Sequence, residues 1–371
     1  MTGRPPFKAL IAGGGPAALE AVLTLRDVAP DIRVELLVPE REYVYRPLSV
    51  VEPFARPSIR RYSYAHLAEL GVDIRHDKLG RVESEARTAW TAHGEELIYD
   101  ALLVATGAQK RRAIPRVLMF GGPEDVDRMH GLVQDVEGGY VRRLAFVAPS
   151  GVNWTLPLYE LALQMAARAH ELCLDRTRVT IISHEQRALE VFGHAASDLM
   201  EELLDAARIH FISGDVLPAA DRTIALPVPS GHRTPGLPVG SDDFLVTDAH
   251  GRVPGVEGVW AAGDCTDAPI KQGGLATQQA AAAARSIAAA VVGRPDADVV
   301  DPVLRAMFVA GRQAYFLRRR LDGIDPGQAS SRALWWPPAK ISGERLASFL
   351  DRLDLASGAP GLERVAVEHS G

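Results

Sequence analysis

The chain has 371 residues, 47% hydrophobic and 24% charged, enough to bury two domain-sized cores and a smaller third unit. A net charge of −6 gives no basic field of the kind that draws a protein onto nucleic acid. Two cysteines, Cys173 and Cys265, supply no CxxC pair, zinc spacing or disulfide framework and read as reduced cytosolic thiols, and the histidines have no metal-ligand spacing. The first residues run into a short apolar strand without a signal-like segment, and even the alanine-rich 280–292 stretch carries Arg285 and Ser286. The expectation is a cytoplasmic protein that does not span a membrane, with a peripheral contact on the inner membrane face left open.

In chain order, Lys8 to Ala12 predicts a buried strand, then a Gly13-Gly14-Gly15-Pro16-Ala17-Ala18 turn, then a helix through Val28. Gly13 permits the tight turn, Gly15 lets backbone approach a pyrophosphate, and Ala18 allows close helix–strand packing; the helix N-terminus faces the phosphates. A second strand, Ile32 to Val38, ends near Glu40, an acid suited to ribose hydroxyls. A hairpin from about Arg81 to Tyr99 precedes the strand Leu102 to Val104 and its Ala105-Thr106-Gly107 turn. The strand beginning at Val259 ends in Gly263-Asp264, and Gly273-Gly274 opens a helix from Leu275 to Ala290. An acid at a strand end beside a helix N-terminus can hold a ribityl chain, which NAD lacks, so Asp264 points to a flavin, here FAD.

With Gly13 to Ala18, Ala105 to Gly107 and Gly263-Asp264 in this order, roughly the first 293 residues resemble the pyridine nucleotide–disulfide oxidoreductase superfamily. Tyr43-Val44-Tyr45-Arg46-Pro47-Leu48 and Pro269-Ile270-Lys271-Gln272-Gly273-Gly274 look like the branch of sulfide:quinone oxidoreductases and type II NADH dehydrogenases. That resemblance implies FAD and quinone reduction. It places Arg46, Val82, Gly274 and Leu275 in the cofactor-binding set with Gly13, Gly15, Pro16, Ala17, Ala18, Glu40, Ala105, Thr106, Gly107, Gly263 and Asp264. It also sets Lys271 near the flavin pyrimidine, where a cation would stabilise negative charge.

A second nucleotide fold begins with the strand Leu144 to Pro149, a helix from about Pro157, and the strand Arg178 to Ser183. Pro149, Ser150 and Trp154 stand where NADH-using relatives carry glycines and small residues, so NAD(P)H is a possible but doubtful partner. Trp154 also occupies the place of a catalytic cysteine in the sulfide:quinone oxidoreductase pattern. Cys173, expected inside a helix, and Cys265 do not form the pair that sulfide chemistry needs. Glu160, read as a helix-start acid facing the flavin domain, suits a nicotinamide contact or a proton relay, or simply the helix dipole.

After Gly293 two strands joined through Gly311 are expected, with Arg318-Arg319-Arg320 as a solvated face or an anionic-lipid contact. A helix from Gly343 to Leu355 follows. Trp335, Trp336 and Lys340 are expected on the acceptor side of the flavin, as an aromatic wall with an oxyanion-facing lysine, the alternative for the tryptophans being core or dimer packing.

The fold expected is α/β, with two Rossmann-like dinucleotide-binding domains and a small C-terminal domain: 1–108 with 238–293, 109–237, and 294–371. The function expected is an FAD-dependent oxidoreductase serving a small-molecule donor and a quinone-like or other small acceptor, with a homodimer possible. The alternatives are an NAD(P)H:quinone oxidoreductase with a divergent nucleotide site and a non-catalytic, flavin-bearing partner-binding protein.

Overall fold

The computed structural model describes residues 6–54, 59–297 and 299–359. A five-stranded parallel sheet, in the order Val259–Ala261, Ala101–Val104, Lys8–Ala12, Arg33–Leu37, Val72–Arg75, organises the first domain. Its central strands, Lys8–Ala12 beyond Lys8 and Ala101–Val104, are apolar on both faces because both are covered. Ala9 and Ile11 point toward the helices Pro16–Val28 and Gly273–Val292, whose Ala17, Ala18, Ala21, Ala276, Ala280 and Ala284 are small enough for close helix packing. The alternating residues Leu10 and Ala12 point to the other face and meet Val82, Ala89 and Leu97. Those three belong to an antiparallel meander, Leu79–Glu83, Thr88–Thr91 and Glu96–Ile98, one strand more than the expected hairpin.

The chain leaves this domain through Gln109–Arg111 and returns through Val228–Ser230, two short segments paired antiparallel. Between them lies a second all-parallel sheet, ordered Leu118–Met119, Arg222–Ala225, Arg143–Ala148, Arg178–Ser183, His210–Ser213. The helix Leu156–Glu171 packs on it and ends before Cys173. Cys173 is exposed in a left-handed conformation, φ +54°, outside the helix in which it was expected.

The C-terminal residues divide between the two cores. The hairpin Val303–Ala310 with Gln313–Arg320 turns at Gly311, takes a third strand, Gln328–Ser330, and buries Leu304, Ala306, Phe308 and Leu317 in the second domain. The helix Leu346–Ala356 instead packs Leu346, Ala347 and Leu350 into the first domain. Its N-terminus is capped from a distance: Glu20, buried in the first helix, accepts from the backbone N–H groups of Arg345 (2.9 Å) and Leu346 (3.0 Å). The arginine run is not one solvated face, because Arg319 turns inward and donates to the Val191 carbonyl at 2.9 Å. Among the described residues no helix is long and apolar enough to cross a membrane.

Candidate functional site

The three glycine turns converge at the carboxyl end of the first sheet. Gly13 has φ +134°, and a Cβ there would overlap the Ala105 carbonyl, so the Ala105-Thr106-Gly107 turn rests directly on the first glycine turn. Gly14 is hemmed in by Tyr64, whose hydroxyl donates to the Gly14 carbonyl at 2.6 Å. Around Gly15 the space is open, with no atom within 4 Å of where a Cβ would project. Gly15 is the N-cap of the Pro16–Val28 helix, Pro16 takes its first turn, and no side chain caps it, so this helix end presents its dipole to a free volume. Gly263 completes the seam: a Cβ there would sit 3.0 Å from the Ala17 Cβ, and its N–H donates to Gln279 Oε1 at 2.8 Å.

Asp264 follows, with a carboxylate that makes no hydrogen bond among the described residues. Burial pushes its pKa above the ordinary value, and the Lys271 and Arg46 cations act in the opposite direction. Lys271 donates to the Thr266 carbonyl and stands 3.6 Å from the centre of the Phe244 ring, a cation–π contact; burial lowers its pKa while Asp264 opposes. Glu40, just past the strand Arg33–Leu37, is exposed and makes no hydrogen bond among the described residues. Cys265 packs under the turn, donating to the Val104 and Ala262 carbonyls, and burial raises its pKa to about 11, which makes it an inert thiol.

Several expected residues have other duties. Leu275 offers no free amide, because its N–H is taken by Gln272 Oε1 at 2.8 Å, while Gln272 Nε2 donates to the Arg305 carbonyl at 3.1 Å. Val82 is buried in the meander and gives its N–H to the Pro235 carbonyl at 2.9 Å. Glu160 is not a helix-start acid: it lies in the second turn of Leu156–Glu171, and both its oxygens are 2.6 Å from Lys340 Nζ. It also accepts from the Val309 N–H at 3.0 Å. The two residues are therefore buried and held by each other. Trp336 is 74% exposed and lines a groove that contains none of Gly13, Asp264 and Lys271, so it forms no wall over them. Trp335 packs edge-on against Phe316, with ring centres 5.3 Å apart.

The second domain differs from the first at the matching place. Two residues beyond the strand Arg178–Ser183, Glu185 is buried and surrounded by three hydroxyls: Tyr159 at 2.7 Å, Ser183 at 2.9 Å and Thr155 at 3.1 Å. Burial raises its pKa and the hydroxyls act against that rise. Trp154 packs on Phe192, and Asn153 donates to the Pro269 carbonyl at 3.1 Å, tying the second glycine loop to the segment that leads to Lys271. Among the described residues no cluster of His, Cys, Asp or Glu could hold a metal ion.

Two parallel α/β units in tandem, the first completed by a returning strand and helix, make a two-domain dinucleotide-binding architecture. The chain belongs to the pyridine nucleotide-disulphide oxidoreductase family, whose model matches residues 7–224. It is 26% identical over 263 residues to the ferredoxin–NAD(+) reductase component of the p-cumate 2,3-dioxygenase system of Pseudomonas putida, covering 65% of this chain and 58% of that one. The chain thus spans little more than half the length of that curated relative. Its fold is similar to that of the sulfide:quinone oxidoreductase of Aquifex aeolicus, with a TM-score of 0.75 at 17% identity, covering 88% of this chain and 87% of the other. It is also similar to an engineered water-forming NADPH oxidase bound to NADPH, with a TM-score of 0.57 at 14% identity over 84% and 75% of the two chains.

Proposed function

We propose that this protein is an FAD-dependent oxidoreductase that passes electrons from a small-molecule donor to a quinone-like or other small acceptor. The observation that carries this reading is the open, uncapped helix end at Gly15, flanked by Asp264 and Glu40, neither of which makes a hydrogen bond among the described residues. An open helix N-terminus suits a pyrophosphate, an exposed strand-end acid suits ribose hydroxyls, and Asp264 suits a ribityl chain. When bound, FAD supplies the acceptance and release of an electron pair. Lys271 holds a positive charge beside Asp264 and, with Arg46, offsets negative charge at this end of the domain. Gln272 fixes the first turn of the Gly273–Val292 helix from within the protein.

NAD(P)H is a poor donor in this reading. To hold a ribose, Glu185 would have to give up three hydroxyl donors, each hydrogen bond to a charged group contributing about 1.5–3 kcal/mol. A sulfide donor is disfavoured because Cys265 is buried and Cys173 lies exposed beyond a helix end of the second domain. The test is purification followed by identification of the released cofactor, then anaerobic titration with NADH, NADPH and sulfide at the flavin absorbance band. FAD with slow, weak bleaching by all three is expected. FMN, or a protein that takes up no FAD, overturns the cofactor assignment; rapid reduction by micromolar NADH overturns the reading of the second domain and promotes an NAD(P)H:quinone oxidoreductase.

A further inference from the structure

The C-terminal three-stranded sheet has one face committed to the second domain and another with an unusual composition. Arg305 and Arg318 are directly opposite each other in the antiparallel register, and the next pair along that face is Met307 with Phe316. Like charges placed opposite on a sheet repel unless something between or beside them is negative. No carboxylate of the described residues does this for Arg305. Its Nε is buried without a hydrogen-bond partner, and burial and Arg318 both push its pKa below the ordinary arginine value, with no acid acting the other way.

Arg305 lies in a groove of about 660 Å³ that runs along the outer side of the Gly273–Val292 helix. Trp335 and Trp336 stand on one wall, and Ser342, whose hydroxyl is also buried and unpartnered, is beside Gly274. Among the described acids lining the groove, Asp248 and Asp296 pair with Arg252, and Glu344 with Arg285 and Arg345, while Asp296 Oδ1 is buried without a hydrogen bond. Asp301 lies exposed at the rim. Among the described residues the groove therefore offers a guanidinium with no carboxylate partner, a hydroxyl and an exposed indole. Val299 and Val300, 56% and 82% exposed, add apolar surface at the edge.

We propose that this groove binds a small carboxylate with an aromatic body, its carboxylate on the Arg305 guanidinium and its ring against Trp336. A guanidinium fork matches a carboxylate in two parallel hydrogen bonds, and an indole face gives a flat ring a sequence-independent platform. The site is separate from the glycine turns and does not depend on the identity of the electron donor.

The experiment is calorimetric titration of the purified flavin-loaded protein with 2-naphthoate, alongside 2-naphthalenemethanol and inorganic phosphate. Saturable 1:1 binding of naphthoate is expected, with much weaker binding of the alcohol and of phosphate. Arg305→Gln should weaken naphthoate by about tenfold or more, the loss of a charge-assisted pair. Trp336→Ala, at an exposed position that threatens no core, should weaken it by about fivefold through lost ring contact, with flavin content and melting temperature unchanged. Absence of naphthoate binding, equal binding of the alcohol or of phosphate, or unchanged affinity in Trp336→Ala would each overturn the proposal. Unchanged affinity in a folded Arg305→Gln protein would do the same.

Discussion

Replacing Lys340 by methionine should be among the most damaging single changes in the C-terminal segment. The ammonium is 2.6 Å from both Glu160 oxygens, and the two side chains are only 6% and 3% exposed. Methionine would leave a buried carboxylate with one remaining donor, the Val309 N–H. Breaking a buried pair by removing one partner costs about 3–5 kcal/mol. With an unfolding entropy of about 2.1 cal/mol/K per residue, a chain this long has roughly 0.8 kcal/mol/K, so Tm should fall by about 4–6 °C in a cooperative transition. The double variant Glu160→Gln with Lys340→Met removes the stranded charge, keeps an acceptor for Val309, and should recover more than half of the loss. Differential scanning calorimetry of the four proteins forms a double-mutant cycle. A Tm drop below about 1 °C in Lys340→Met, or additive single effects, would refute the paired-charge account. Turnover with a quinone acceptor adds a second discriminator: a stable double variant that has lost acceptor turnover would return these residues to the chemistry.

Four further outcomes are expected. Asp264→Ala should weaken FAD retention by about tenfold or more, from the loss of a charged acceptor for ribityl hydroxyls contributing about 1.5–3 kcal/mol; equilibrium dialysis measures it, and unchanged retention would make Asp264 structural. Gly13→Ala should give no soluble flavin-loaded protein, because the new methyl meets the Ala105 carbonyl at a φ of +134°; a yellow, wild-type-like variant would contradict the packing of the two turns. Iodoacetamide should label one thiol in the folded protein, Cys173, and two in denaturant, since Cys265 is buried with a pKa of about 11. Acid should weaken the second domain through Asp221, which accepts from the Arg142 and Arg143 amides and the Arg143 guanidinium and has its pKa lowered from 3.8 to about 2. A depressed carboxylate stabilises above its unfolded pKa and loses that contribution as pH falls through its folded one, so urea midpoints should decline between about pH 4 and 2, less steeply in Asp221→Asn.

The glycine turns were legible because their requirements are local. Gly13 needs a positive φ and has no room for a Cβ, and such constraints leave a mark on the sequence itself. The strands were legible for a similar reason: residues buried on both faces make apolar runs such as Leu102 to Val104. What sequence did not disclose were duties assigned across long separations. Glu160 and Lys340 are 180 positions apart, and Glu20 caps a helix more than 320 residues away. Nothing near Lys340 distinguishes a buried ion pair from a site lysine. Trp336 was misplaced for the opposite reason, since a tryptophan pair beside prolines looks like an aromatic wall wherever the chain takes it. Only Gln272 left a usable signal, a polar side chain three residues before Leu275 at a helix start, which is the spacing of a capping contact.

The two nucleotide folds are most informative when compared at the same place. Each has a parallel strand followed within three residues by a glutamate, Glu40 in the first and Glu185 in the second. Glu40 is exposed and has no partner among the described residues; Glu185 is enclosed by Thr155, Tyr159 and Ser183. Glu185 is turned inward onto three hydroxyls, and burying it is tolerable only because those hydroxyls replace water. Thr155 is the N-cap of the helix that follows the second glycine loop and Tyr159 lies in it, so the same segment that brings Trp154 and Asn153 into the loop also supplies two of the three donors to the acid. Loop bulk and the enclosure of the acid thus come from one segment. Substituting glycines into the loop alone would therefore leave Glu185 turned inward, held by the hydroxyls of Thr155, Tyr159 and Ser183.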